Sequence, residues 1–144
     1  MSISIVCARH VADLADLYAV FGLAFESERA GAAGGNFSLL LGRNDICFLV
    51  ALSEGVVVGG LSAYEMELLS GEKEFYLYDI GVHPAHQRKG LGAMLIKELK
   101  KQAQARGISA IFVEAESADS GAVSFYQSLG AEQIKVDHFN IAVE

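Results

Sequence analysis

Basic residues are scarce in this 144-residue sequence: 11 Lys and Arg stand against 18 Asp and Glu, a formal net charge of −7. That balance argues against nucleic acid as a partner, because phosphate binding needs a basic face. It suits a cationic partner, whose encounter rate such a field raises, and it equally suits plain solubility. Cysteine is scarce too. Cys7 and Cys47 are too few to staple a secreted scaffold, and each lies in an apolar run where a small buried thiol serves as core. A reducing, cytoplasmic compartment is therefore expected, and no covalent thiol route. No basic stretch precedes an apolar one at Met1, and no apolar run reaches ~18 residues, the length at which a membrane span becomes plausible. Repeats and low-complexity segments are absent, and no metal site is implied.

What is present is apolar. Hydrophobic residues make up 52% of the chain and charged ones 20%, so burial can offset the entropy of ordering, and one domain spanning residues 1–144 is expected. Ile3 and Ile5 open a short strand, and Val11, Leu14, Leu17, Tyr18 and Phe21 recur at helical spacing, with Asp13 and Asp16 in the early turns. Gly31 to Asn36 reads as a mobile loop bordering a site, followed by a helical run from Phe37 to Leu41. Ile46–Leu52 and Val56–Tyr64 flank Ser53-Glu54-Gly55 as a hairpin with a three-residue turn. Phe75–Val82 is a third strand, stopped by Pro84 and the polar loop His83–Lys89. A helix from about Gly90 to Arg106 carries Leu91, Leu95, Leu99 and Ala103 on one stripe, and Gly107 ends it. Ile108–Ala115 is strand and Ala122–Leu129 helix, and short strands follow around Ile134–Val136 and Phe139–Val143. The order β-α-α-β-β-β-α-β-α-β-β gives an α/β mixed sheet flanked by helices.

Two places carry chemistry. Gln87-Arg88-Lys89-Gly90-Leu91-Gly92 joins a strand to a helix. There Gly90 and Gly92 let backbone N–H groups approach an anion, and the helix start adds partial positive charge. Arg88 and Lys89 bring cations to that spot in an acidic chain, which points to a polyphosphate ligand. The alternative is that both glycines only allow tight packing. Asp79 is the second place. With period-two alternation it shares a face with Phe75, Leu77 and Gly81, so its carboxylate needs a partner: a ligand ammonium, or an internal Lys, Arg or tyrosine hydroxyl.

The hexamer resembles the Q/R-x-x-G-x-G/A pyrophosphate loop of the GNAT acetyltransferases, and Ala122-Val123-Ser124-Phe125-Tyr126-Gln127-Ser128-Leu129-Gly130-Ala131 is a second GNAT-like stretch at the expected distance. From Phe75 to Asn140 the chain is similar to the aminoglycoside 3-N-acetyltransferases of the gentamicin-modifying group. Tyr76 to Val82, Glu114-Ala115-Glu116 and Asp137 to Ile141 all correspond. The resemblance implies the GNAT fold, acetyl-CoA as cosubstrate, and acetylation of an aminoglycoside amine by direct attack through a tetrahedral oxyanion that backbone N–H groups near Val82 stabilise.

By the same resemblance Ile80, Gly81 and Val82 run beside the pantetheine arm, and Gln87, Arg88, Lys89, Gly90, Leu91, Gly92 and Ala93 cradle the pyrophosphate. Tyr126 protonates the departing thiolate, unless it is simply a packed aromatic. Asp79 takes the amine proton, or holds the ammonium while water or Glu114 takes it; as a base it needs burial or neighbouring carboxylates to lift its pKa. Asp79, Glu114, Glu116 and Asp119 line a pocket for a polycationic sugar, and His138 bonds substrate or ends a strand. Asn140 stands where that group is often acidic and Glu114 where it commonly has an amide, so the antibiotic range is expected to differ. A polyamine or a protein amino group is the alternative acceptor, and a non-catalytic acyl-CoA sensor the alternative role. A homodimer is expected.

Overall fold

The computed structural model describes residues 2–25 and 34–144. The expected Gly31–Asn36 loop lies outside the described residues up to position 33. Residues to Glu114 form one compact unit and Ala115–Glu144 a second.

In the first unit β1 (Ile3–Cys7) leads into α1 (Val11–Phe25), and α2 (Phe37–Leu41) precedes β2 (Ile46–Ser53), β3 (Val56–Glu67) and β4 (Lys73–Val82); a helical turn at Pro84–His86 then leads to α3 (Leu91–Ala105) and β5 (Ala110–Val113). The sheet runs β1-β2-β3-β4-β5, antiparallel except for the parallel pair β4 and β5. α1 starts where the Asp13 carboxylate accepts the Arg9 and His10 amides at 3.1 Å, and Asn36 caps α2 by accepting from the Leu39 amide.

Side chains divide by face. Leu49, Leu61, Phe75 and Leu77 pack with Leu95 and Leu99 of α3, all fully buried. On the other face Leu17 and Val20 of α1 pack on Val50 and Val57. The expected stripe of α3 is buried from Leu91 to Ala103, whereas Val11 of α1 is exposed.

The hairpin between β2 and β3 is tighter than expected. Ser53 pairs with Val56, so the turn is Glu54-Gly55 alone. Both have positive φ, 50° and 81°, the primed turn whose twist matches that of its strands. The anticipated core role of Cys7 is also corrected. Cys47 is buried but Cys7 is exposed, because β1 is an edge strand and Cys7 is its last residue.

The second unit contains α4 (Ser120–Ser128). It begins earlier than expected because the Asp119 carboxylate accepts the Ala122 amide at 3.0 Å. The two terminal strands anticipated around Ile134–Val136 and Phe139–Val143 are not formed: no residue from 131 to 144 pairs in a sheet. The alternating apolar residues there had suggested strands, but a strand exists only against a partner. No helix among the described residues is long and apolar enough to cross a membrane.

Candidate active site

The position of Asp79 follows from an irregularity in β4. Opposite β3 the register runs Ser62↔Asp79 and then Ala63↔Leu77, which leaves Tyr78 as an unpaired extra residue. Period-two alternation is broken there. Phe75 and Leu77 stay on the α3 face with Glu65 and Ala63, whereas Asp79 joins Tyr76, Gly81, Ser62 and Tyr64 on the α1 face. The expectation that Asp79 shares a face with Phe75 and Leu77 is thus overturned, and the shared face with Gly81 is retained.

The bulge turns Asp79 into an aromatic pocket of about 150 Å³, walled by Tyr18, Phe21, Phe37, Phe48 and Tyr64. Ser62, itself buried, donates its hydroxyl to Asp79 Oδ2 at 2.8 Å. A short side chain at Gly60 is required, since a Cβ there would sit 2.6 Å from Leu17 and 2.4 Å from the Leu49 carbonyl oxygen. Sequence reasoning missed Ser62 and the aromatic wall. Ser62 was visible as a polar residue inside an apolar run, but its pairing with Asp79 depends on the bulge.

A second acidic group lies along the same strands. Tyr76 donates its hydroxyl to Glu114 Oε1 at 2.5 Å, stacks on Phe112 at 4.7 Å and meets Tyr78 edge-on. The hydrogen bond to Glu114, with burial second, pushes the Tyr76 phenol up to about 12. Burial, followed by the charge of Asp79, raises the Tyr64 phenol. Burial also pushes the Cys47 thiol up to about 11, which keeps it protonated and a poor nucleophile at neutral pH.

β5 pairs with β4 only from Glu74 to Leu77. Beyond the bulge, no strand among the described residues borders the far edge of β4, from Asp79 to Val82. Successive residues in an antiparallel pair turn their backbone groups to opposite sides. The His83 amide donates to Val58 of β3 at 2.7 Å, so Ile80 and Val82 direct theirs to the open side. The Val82 carbonyl there accepts from Gln87 Nε2 at 2.9 Å, so the Gln87 side chain braces the loop from within.

The loop then opens α3 without a side-chain cap. The Met94 amide bonds back to Gly90 at 3.1 Å, which leaves the Leu91, Gly92 and Ala93 amides as the unpaired first turn. Arg88 and Gly90 both have positive φ, 60° and 82°, and a Cβ at Gly90 would meet nothing within 4 Å. An open amide turn at a positive helix end, flanked by Arg88 and Lys89, fits a diphosphate.

Glu116, Asp119, Tyr126 and His138 lie in the second unit. Asp119 spends one carboxylate oxygen on the α4 cap. Tyr126 packs against Phe125 at 5.2 Å, and burial first, then the Asp119 charge, raises its phenol. Glu116 accepts the Asp119 amide through its backbone carbonyl, and the His138 ring meets Asn140 Oδ1 at 2.9 Å.

Comparison with known proteins gives this geometry a family. The acetyltransferase (GNAT) family matches residues 12–131. An aminoglycoside acetyltransferase from an uncultured soil metagenomic sample is 35% identical, with a TM-score of 0.92 over 100% of both chains. A second from such a sample, in complex with sisomicin, is 26% identical, with a TM-score of 0.89 over 99% of this chain and 96% of that one. The [ribosomal protein bS18]-alanine N-acetyltransferase of Salmonella typhimurium is 33% identical over 63 residues, 44% of this chain and 43% of that protein. The chain therefore aligns with less than half the length of that curated relative.

Proposed function

Because the chain belongs to the GNAT acetyltransferase family, we propose that it transfers acetyl from acetyl-CoA to a primary amine of an aminoglycoside, the 3-amino group, and so confers antibiotic resistance. GNAT acetyltransferases use acetyl-CoA, which when bound supplies an activated acetyl thioester. The observation that carries the reading is the pairing of an uncapped amide turn at α3 with the open far edge of β4, next to a carboxylate in an aromatic pocket. The 35% identity to an aminoglycoside acetyltransferase over the whole chain supports the acceptor class.

In this reading residues 1–144 act as one catalytic domain. The amides of Leu91, Gly92 and Ala93, with Arg88 and Lys89, hold the diphosphate, while Gln87 fixes the loop. Ile80, Gly81 and Val82 offer backbone groups to the pantetheine arm. Asp79, held by Ser62, binds the substrate ammonium and accepts its proton, and the aromatic wall adds cation–π attraction. The raised Tyr126 phenol remains protonated at neutral pH and serves as the proton donor to the leaving thiolate. Glu114, Glu116, Asp119 and His138 bind further amino and hydroxyl groups of the polycation.

Thiol release with acetyl-CoA and gentamicin, spermidine or a peptide amine tests the reading. Release with gentamicin is expected; none with any aminoglycoside rejects the acceptor class. The partial match to a ribosomal-protein acetyltransferase favours a peptide amine as the second reading. Coenzyme A binding without turnover on any amine would instead support an acyl-CoA sensor.

A further inference from the structure

The pocket around Asp79 opens onto a row of aromatic rings that runs to the edge of the sheet. Tyr64, Tyr76 and Phe112 are register partners on β3, β4 and β5 and so share the α1 face. Tyr78, the residue left unpaired by the bulge, turns its ring onto the same row, meeting Tyr64 edge-on at 6.2 Å and Tyr76 at 5.5 Å. Tyr64 also walls the pocket, so row and pocket are continuous. The row is not interior packing: Tyr78 and Phe112 are 51% and 38% exposed, and large rings clustered in water mark a binding surface. Two carboxylates border it. Asp79 follows Tyr78 in β4, and Glu114, two residues past Phe112, accepts the Tyr76 hydroxyl.

We infer that Tyr76, Tyr78 and Phe112 form a floor on which a second saturated ring of the acceptor lies, with an ammonium of that ring held by Glu114. The inference rests on the reading of an amino-sugar acceptor and makes Tyr78 and Phe112 specificity-determining residues. An aromatic ring presents a negative face. The C–H bonds on one face of an amino sugar, made more positive by the neighbouring ammonium, point at such a surface, and the ammonium itself gains a cation–π contact. Three strands set about 4.8 Å apart give the row a reach of about 10 Å, longer than one six-membered ring is wide. A single-ring amine would fill the Asp79 pocket and leave the floor in water. A linear polyamine carries the charges but has no ring face to lay on it.

The test compares gentamicin with 2-deoxystreptamine, the single diamino ring that carries its 3-amino group, each with acetyl-CoA. Phe112→Ala and Tyr78→Leu should each raise KM for gentamicin about 10-fold more than KM for the single ring. Phe112→Tyr, which keeps an aromatic face, should retain the wild-type ratio. A second measurement reads no turnover: saturating the protein's aromatic protons should transfer magnetisation to protons on the outer gentamicin rings, and Tyr78→Leu with Phe112→Leu should lose most of that transfer. Equal KM changes for the two acceptors, or undiminished transfer in the folded double variant, would overturn the floor alone. A wild type that releases no thiol with either acceptor would reject the acceptor reading and the floor with it. If only gentamicin is turned over, the saturation transfer decides.

Discussion

Each ionisable side chain of the candidate site is set by its nearest partner. Asp79→Asn keeps the shape and the Ser62 contact but removes the negative charge that we propose holds the substrate ammonium. It should lower kcat by about 100-fold while leaving coenzyme A affinity within a factor of two, roughly; parallel steady-state kinetics and calorimetry check both. Ser62→Ala leaves the carboxylate short of one donor at a cost of about 1 kcal/mol, seen as a raised KM for the amine. Tyr76 offers a spectroscopic test. Its phenol is raised to about 12, by the Glu114 hydrogen bond first, so it should ionise above the ordinary tyrosine range in a tyrosinate absorbance titration, and Glu114→Gln should bring it back toward about 10. A raised folded-state value means that this hydrogen bond contributes its full stability below pH about 10 and loses it as the pH climbs through about 12. The Glu114→Gln variant should therefore be less stable than wild type at pH 7, with the gap closing in strong alkali. Asp79 stood out in the sequence as a carboxylate among hydrophobes. Its true neighbours were not legible there, since they are chosen by a pairing shift that no single residue announces.

Two glycines separate the roles of the elements. Gly60 lies beneath α1, where a methyl group would meet a carbonyl oxygen at 2.4 Å. Gly60→Ala should cost about 2 kcal/mol or more in urea unfolding. Gly90 has only a backbone requirement, and Gly90→Ala should cost about 1–2 kcal/mol from its left-handed conformation, together with weakened coenzyme A binding from disturbing the amide turn. Elements with strong periodicity were readable: the α3 stripe and the buried β2 and β3 stand where expected, because their partners lie close in sequence or bury whole faces. The final segment was misread as paired strand for the opposite reason. Its alternation specifies a side-chain pattern and supplies no partner strand.

For the molecule as a whole, the excess of acidic residues governs encounter. A net charge of −7 attracts a polycation at long range and repels an anionic donor, which in the proposed reading the Arg88–Lys89 corner draws in locally. With a polyamino sugar as acceptor, kcat/KM should fall severalfold between roughly 0.02 M and 0.3 M salt as screening shortens to under 10 Å. With a small neutral-headed amine it should change little. The charge sign was plain in the composition, but its opposition by two cations at one loop becomes meaningful only once that loop is seen to open a helix.

The extra residue in β4 makes aim a matter of parity. Between Leu77 and Asp79 the strand spends an odd count where its partner spends none, so the two halves of one strand serve opposite sides of the sheet. A variant lacking Tyr78 would straighten β4 and still leave Asp79 facing its pocket. Pairing Tyr78 regularly, with the chain length unchanged, would put Asp79 on the face of Leu77 and swing the carboxylate into hydrocarbon. The orientation of the acid is therefore written in the parity of the paired residues and is indifferent to the identity of the one left out.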